Sequence, residues 1–344
     1  MQRPATSACR AAVLVAALLL GCSESTSQHA ARLPRVEIEP GTVTVSGISA
    51  GGYMAVQFHI AYSGLVNGAG VIAAGPYYCA ESSLQLALGR CMQGDDEIPT
   101  DQLITLTSQL ALEEEIDPIS DLVTDRVWIL RGEADSVVEK RVVDALERYY
   151  KALVDPALVV RVDRPRVAHT FPTLDAGGDC AKTQPPYLGD CDYDAAGQML
   201  QHLYSHLNAR GRVADGRLLE FDQQPYAALA STHSLARRGW VYVPDDCRGR
   251  NASCRLHVVF HGCKQGASFV GDRFVRGAGY LEWAASNRIV VLFPQIDPGV
   301  MPPNPNGCWD WWGYEGERYA VRDGPQLLAV RAMIADLRRE GPPR

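Results

Sequence analysis

Three residue types that together perform acyl transfer lie along this chain, each just after an apolar run. Ser49 sits in Gly47-Ile48-Ser49-Ala50-Gly51, between the alternating Val43-Thr44-Val45-Ser46 and a helix-like stretch from Tyr53 to His59. Strand, sharp turn and helix make the pattern of a nucleophile elbow, in which glycines two positions either side of the serine let the backbone pass. Asp135 follows the apolar strand in "RVWILRGEADSVV" (126–138), and His169 follows the one in "ALVVRVDRPRVAHTF" (157–171). A serine hydroxyl is a weak nucleophile near neutral pH and needs a base within hydrogen-bond reach, itself oriented by a third group. Ser49 as nucleophile, Asp135 as orienter and His169 as base stand in the order Ser, Asp, His, the hydrolase order. The tetrahedral oxyanion needs two fixed donors. The expected pair is the backbone N–H of Ala50 and that of Cys263, in the turn His261-Gly262-Cys263.

Each residue has a plainer alternative. Gly-x-Ser-x-Gly arises by chance, Asp135 could only form a turn, and Glu133 stands near enough to replace it as orienter. His59 falls on the helix after the elbow, where a packing role suits it, and His202 and His206 form a helix-face pair. His261 suits shaping the oxyanion turn better than acting as base, and tryptophans such as Trp309, Trp311 and Trp312 most often pack. The joint order and placement of Ser49, Asp135 and His169 carry the triad, not any single motif.

Strands alternating with helical stretches at 139–153 and 193–208 predict a mostly parallel, doubly wound sheet with catalytic groups on loops at its carboxyl edge. Segment 64–78 reads as a strand of small residues. Further strands are expected at 216–226, 237–247, 255–265 and 287–295, with helices at 272–286 and 324–340. In an ordinary α/β-hydrolase about four strands precede the elbow, whereas here almost nothing does. Read from residue 210 to the end and then from 35 to 209, however, the elements fall in hydrolase order. The expectation is a circularly permuted α/β-hydrolase forming a single domain over 35–344.

Ahead of that domain, Arg3 and Arg10 precede an apolar run from Ala11 to Leu20, too short for a mature membrane span and suited to an export signal over 1–21. Leu19-Leu20-Gly21-Cys22 before Ser23 and Glu24 resembles a bacterial lipoprotein box. Lipidated Cys22 would then anchor the chain to a membrane through a flexible tether, 22–34. Losing residues 1–21 removes two of the 33 bases and none of the 40 acids, so the formal net charge moves from −7 to −9. That balance argues against a nucleic-acid partner. Setting Cys9 and Cys22 aside leaves eight cysteines, an even number that in an exported chain reads as disulfides rather than metal ligands. Connectivity among eight is not fixed by sequence. Short loops favour Cys79–Cys91, Cys180–Cys191 and Cys247–Cys254, which leaves Cys263–Cys308.

The segments "SGISAGGYMAVQFHIAYS", "RGEADSVV", "VAHTFPT", "FHGCKQG", "NRIVVLFPQ" and "NGCWDWWGY" resemble the poly(3-hydroxybutyrate) depolymerases of the circularly permuted, single-domain kind, from about residue 35 onward. The resemblance implies a serine esterase without cofactor or metal, with Ser49, Asp135 and His169 as triad and Ala50 and Cys263 as oxyanion donors. It also implies Trp309 near a crevice that binds polyester. Many secreted depolymerases add a linker and a polymer-binding domain that this chain is not expected to carry. Soluble 3-hydroxyalkanoate oligomers, or polymer reached from the cell envelope, are therefore expected substrates. The wider family includes feruloyl and acetyl esterases acting on plant polysaccharides, which is the alternative enzyme. A non-enzymatic alternative, an inactive hydrolase fold used as a surface-binding lipoprotein, would require loss of a triad whose three members are present.

Overall fold

The computed structural model describes Met1, residues 32–249 and residues 252–338. The apolar run of the export signal, Cys22 and most of the expected tether lie outside the described residues; of 22–34, Leu33 is buried on the core.

The strands are β1 (Ile38–Ile48), β2 (Gly68–Ile72), β3 (Arg126–Gly132), β4 (Val159–Arg164), β5 (Phe171–Thr173), β6 (Gly178–Asp179), β7 (Leu188–Asp190), β8 (Gly216–Asp222), β9 (Arg238–Pro244), β10 (Cys254–Phe260) and β11 (Ile289–Phe293). Eight of them form one sheet in the order β4-β3-β2-β1-β10-β11-β9-β8. The first six in that order run parallel, while β9 is antiparallel to both β11 and β8. Every residue of β2 and of β11 is buried, as continuous apolar strands are when helices cover both faces. Lys140–Leu153 is such a helix. Val142, Val143, Leu146, Tyr149 and Tyr150 recur at helical spacing and are all buried.

β1 comes first among the strands yet lies mid-sheet. Its entry is joined to the chain's far end: Val36 pairs with Arg338, and the Val36 N–H donates to the Leu337 carbonyl at 2.8 Å, where helix Pro325–Leu337 ends. Starting at β8, the chain runs β8, β9, β10, β11 and that helix, then passes by juxtaposition to β1, β2, β3 and β4. This is the permuted order that the sequence implies.

Two elements differ from expectation. The helix over 272–286 is two helices, Arg273–Gly277 and Tyr280–Asn287, parted at Gly279 with φ +84°. A Cβ on Gly277 would stand 2.8 Å from Leu188 on β7, so the break seats the helix against a neighbour. The strand expected over 64–78 stops at Ile72 because Ala73 takes φ +50° and turns the chain. A second, three-stranded sheet, β5-β7-β6, is made of pieces of two or three residues.

A buried polar chain sets β1 against β10. Thr44 stands opposite His257 in the parallel ladder, and both its hydroxyl and that of Ser46 reach the His257 ring, at Nδ1 and Nε2, each 2.7 Å away. Donors and acceptors close consistently. Tyr204 donates to the Leu256 carbonyl at 2.9 Å, Thr44 donates to Tyr204 at 2.6 Å, and His257 Nδ1–H therefore donates to Thr44. Nε2 then accepts from Ser46, which accepts from the Tyr280 hydroxyl at 2.8 Å. Burial without a carboxylate partner keeps this ring neutral, pushing the His257 pKa down to about 3. A second buried pair, His59 Nε2 and Asp125 at 3.0 Å, joins helix Ala50–Ala61 to the start of β3, with Tyr150 on the other ring nitrogen.

The pH dependence of stability follows. A histidine that titrates near 6.5 when unfolded and near 3 when folded leaves its contribution complete above about 6.5 and lost as pH falls toward 3. His257 should cost roughly 1.4 kcal/mol of stability per pH unit in that window. Urea unfolding at pH 7, 6 and 5, beside His257→Leu, checks this: the variant starts less stable and shows a slope smaller by one proton. An unchanged slope would mean that His257 titrates normally.

Candidate active site

Chain connections diverge from β1, to β2 on one side and from β10 on the other, and a crevice opens where strands part in this way. The carboxyl ends of both strands point into it. β1 ends in the elbow, with Ser49 at φ 58° and ψ −126°, outside the ordinary regions for an L-residue. The strain is held from both sides. The Ser49 N–H donates to the Ile72 carbonyl of β2 at 2.9 Å, and its carbonyl accepts from the Tyr53 N–H at 2.9 Å.

The flanking glycines are steric necessities. A Cβ at Gly47 would lie 2.1 Å from the Gly51 carbonyl oxygen, and one at Gly51 would lie 2.2 Å and 2.4 Å from the carbonyl oxygens of Phe260 and His261. Elbow and β10 thus touch backbone to backbone. Helix Ala50–Ala61 begins at once, so the Ala50 N–H belongs to the first turn, which has no acceptor inside its own helix.

Asp135 and His169 arrive from β3 and β4. Their loops converge because Gly132 has no side chain: a Cβ there would stand 2.1 Å from the Val167 carbonyl oxygen. Asp135 is buried, and its Oδ1 accepts the N–H groups of Val137 at 2.8 Å and Val138 at 3.0 Å. Oδ2 is thereby aimed at His169 Nδ1, 2.8 Å away. Nδ1–H donates to the carboxylate, which leaves Nε2 as the acceptor. The His169 backbone N–H donates to Thr183 Oγ1 at 3.2 Å, and the Ala168 N–H to the Cys180 carbonyl at 3.0 Å, within a loop closed by Cys180–Cys191. Glu133, the substitute orienter, is exposed.

Ser49, His169, Gly262 and Cys263 line one cavity of about 830 Å³. The other described histidines do not line it. His261 is fully buried, its Nδ1 2.8 Å from the Gly262 carbonyl and its Nε2 accepting from the Ile296 N–H at 3.1 Å; burial lowers its pKa to about 4. The helix carrying His202 ends at Tyr204, short of His206, and His202 Nε2–H donates to the Leu158 carbonyl at 2.9 Å.

The apolar lining of the cavity includes Leu84 and Leu88, each about half exposed, together with Trp311 and Trp312. Trp309 is a correction: it does not line the cavity. Its ring has no exposed surface and packs edge-on to Phe260 at 5.0 Å and against His261 at 5.8 Å. Trp311 instead stacks on Tyr53 at 4.2 Å, with Trp312 edge-on to it.

Asp310 organises this loop, a role that sequence reading missed although an Asp followed by small and aromatic residues can signal such a turn. Its carboxylate accepts the N–H groups of Trp312, Gly313, Tyr314 and Glu315 at 2.7–3.3 Å, while burial pushes its pKa up to about 7. Gln57 of the elbow helix ties it in through the Asp310 carbonyl at 2.9 Å. The described cysteines join as Cys79–Cys91, Cys180–Cys191, Cys247–Cys254 and Cys263–Cys308, the last fixing the His261–Cys263 turn to the tryptophan loop.

No family model matches the chain. Curated relatives do. The chain is 44% identical over 94% of its length to a poly(3-hydroxybutyrate) depolymerase of Delftia acidovorans, of which it spans 65%. It is 34% identical over 90% of its length to a polyhydroxybutyrate depolymerase of Talaromyces funiculosus, of which it spans 93%. Among solved structures, it resembles a serine-to-alanine variant of a PHB depolymerase complexed with an R3HB trimer, with TM-score 0.83, 31% identity and coverage of 90% of this chain and 99% of that one. The PHB depolymerase of Penicillium funiculosum matches with the same TM-score and coverage at 32% identity.

Proposed function

The chain belongs to the poly(3-hydroxybutyrate) depolymerase family, and on that premise we propose that it is a serine esterase cleaving the ester bonds of poly(3-hydroxybutyrate) or its oligomers. The observation that carries this reading is the Asp135–His169 pair, fixed at 2.8 Å, on the same cavity as the strained Ser49. Ser49 Oγ attacks the ester carbonyl carbon while His169 Nε2 takes its proton, and Asp135 holds the ring in the tautomer that leaves Nε2 unprotonated. The developing oxyanion accepts from the N–H groups of Ala50 and Cys263. Each such donor is worth roughly 10²–10³ in kcat. As the carbon–oxygen bond to the leaving chain breaks, His169 returns the proton to that oxygen. Water, deprotonated by His169, then releases the acyl group from Ser49. No cofactor enters this sequence.

The apolar side chains lining the cavity, among them Leu84, Leu88, Trp311 and Trp312, suit a methyl-bearing aliphatic polyester and support that substrate class. Four disulfides fit an exported protein. We extend the proposal to lipidation of Cys22 and residence in the cell envelope, on the sequence pattern around that residue.

Ser49→Ala, Asp135→Asn and His169→Ala are each expected to remove nearly all hydrolysis of the 3-hydroxybutyrate trimer without unfolding the protein. Their double variants should be no worse, because the three act as one unit. A serine-directed phosphonate should label Ser49 alone; labelling that persists in Ser49→Ala would assign the nucleophile elsewhere.

Trp312→Ala should lower kcat/KM on polymer and long oligomers roughly tenfold while sparing a short p-nitrophenyl ester, which reaches Ser49 without filling the mouth. Equal losses on both would make Trp312 a support of the loop. Turnover of methyl ferulate faster than of the trimer would move the chain to the polysaccharide esterases. Cys22→Ala should release the protein from the membrane fraction with its purified activity intact, and a parent already wholly soluble after export would refute the anchor.

A further inference from the structure

The oxyanion donor Cys263 sits on an exposed-looking turn, yet the turn is held from beneath. Its four residues are Gly262 to Gln265, closed by the Gln265 N–H donating to the Gly262 carbonyl at 3.2 Å, with Lys264 at φ 57° in the third position. That φ ordinarily belongs to glycine, so the turn's shape is imposed by its surroundings. The direction of the Cys263 N–H is set by its own peptide. In a trans unit the carbonyl of Gly262 and the N–H of Cys263 point opposite ways. The carbonyl is bound by the Gln265 N–H and by the buried His261 Nδ1–H at 2.8 Å, so the Cys263 N–H points away from that ring, and Cys263 lines the cavity with Ser49 and His169.

Gln265 does more than close the turn. Its side chain is 1% exposed, and Oε1 accepts the Gly262 N–H at 2.8 Å, fixing the preceding peptide as well. Nε2 donates to the Tyr187 carbonyl at 3.0 Å and the Pro186 carbonyl at 3.4 Å. The amide can take only this orientation, since the reverse would put its oxygen against two carbonyls and its NH₂ against an N–H. The Tyr187 carbonyl in turn accepts the Phe171 N–H at 2.9 Å, two residues after His169. One buried amide therefore joins the turn that presents the oxyanion donor to the segment that carries the base.

We propose that Gln265 is a positioning residue for catalysis, which holds the Cys263 N–H and the His169 loop in one fixed relation. The proposal rests on the reading of Cys263 as an oxyanion donor. It assigns to Gln265 an effect on the transition state rather than on substrate binding, because the oxyanion exists only there.

The test uses Gln265→Met, which keeps length and roughly the volume without the amide, and Gln265→Glu, which can still accept from Gly262 but when ionised cannot donate to the two carbonyls. For each, kcat and KM are measured on p-nitrophenyl butyrate and the 3-hydroxybutyrate trimer, per active site titrated with a serine-directed phosphonate. Gln265→Met should lose roughly ten- to a hundredfold in kcat with KM within about twofold, and its phosphonate should react slower by a similar factor. Gln265→Glu should fall between it and the parent. Parental kcat per titrated site in folded Gln265→Met overturns the proposal. Where Gln265→Met yields no folded protein, parental kcat in Gln265→Glu overturns it equally, and a loss in kcat at constant KM supports it. A parent that the phosphonate does not label at Ser49 would remove the esterase reading itself, an outcome distinct from a labelled parent beside unaffected variants.

Discussion

The backbone contact between the elbow and the end of β10 is the constraint on which the rest of this structure depends. Gly51 presses against the carbonyls of Phe260 and His261 with no room for a Cβ, and Gly47 folds onto the Gly51 carbonyl in the same way. Two parallel strands are thereby brought together where their chains part, which puts Ser49 and the His261–Cys263 turn side by side. Ser49 accepts its strained φ because its N–H is bonded to β2 and its carbonyl to Tyr53. The strain is a consequence of packing order, held by several strands rather than by any local feature of the pentapeptide.

Register makes that contact reproducible, and here the polar interior matters. A parallel pair with one apolar face could slip, but Thr44 and Ser46 of β1 each need one nitrogen of the His257 ring on β10. A shift of register would leave both hydroxyls and the ring unpaired in the core, each at a cost of about 1–3 kcal/mol. The buried histidines other than His169 hold structure, His59 through Asp125 and Tyr150. His257 and His261 are kept neutral by burial and serve as fixed hydrogen-bonding parts. His169 alone, among the described histidines, lines the cavity with a carboxylate behind it.

Much of this was legible in the sequence, and the boundary is physical. Long apolar runs gave the sheet strands and the helices Lys140–Leu153 and Pro325–Leu337, because burial on both faces leaves a strong pattern over many residues. The Gly-x-Ser-x-Gly turn was legible because its glycines answer to steric limits that no other residue meets. What was not legible depends on contacts distant in sequence. The β5-β7-β6 sheet has too few residues to show a period, and Gly279 breaks a helix whose spacing alone reads as continuous. Trp309, Trp311 and Trp312 differ by at most three positions, and only the turn built on Asp310 decides which faces the cavity. Gln265 is a polar residue with no motif around it; its role arises from carbonyls some eighty residues earlier.

The distribution of the disulfides completes the argument. The central strands of the large sheet are buried and apolar, and only Cys247–Cys254 among the crosslinks reaches one of them, at the start of β10. The catalytic edge is different, since its groups ride on loops whose backbone is only partly paired, and loops left to themselves keep conformational freedom that a reaction centre must remove. Cys180–Cys191 closes the loop behind His169, and Cys263–Cys308 joins the His261–Cys263 turn to the tryptophan loop. Crosslinks placed there restrict the groups to which the proposed mechanism assigns the oxyanion and the proton. Gln265 extends the same logic without a covalent bond. It ties together two loops that neither of those bridges connects, and it does so with an amide whose donors and acceptor are all used. A permuted chain order leaves this edge intact because catalysis depends on which strand ends are neighbours, not on the order in which the chain visits them.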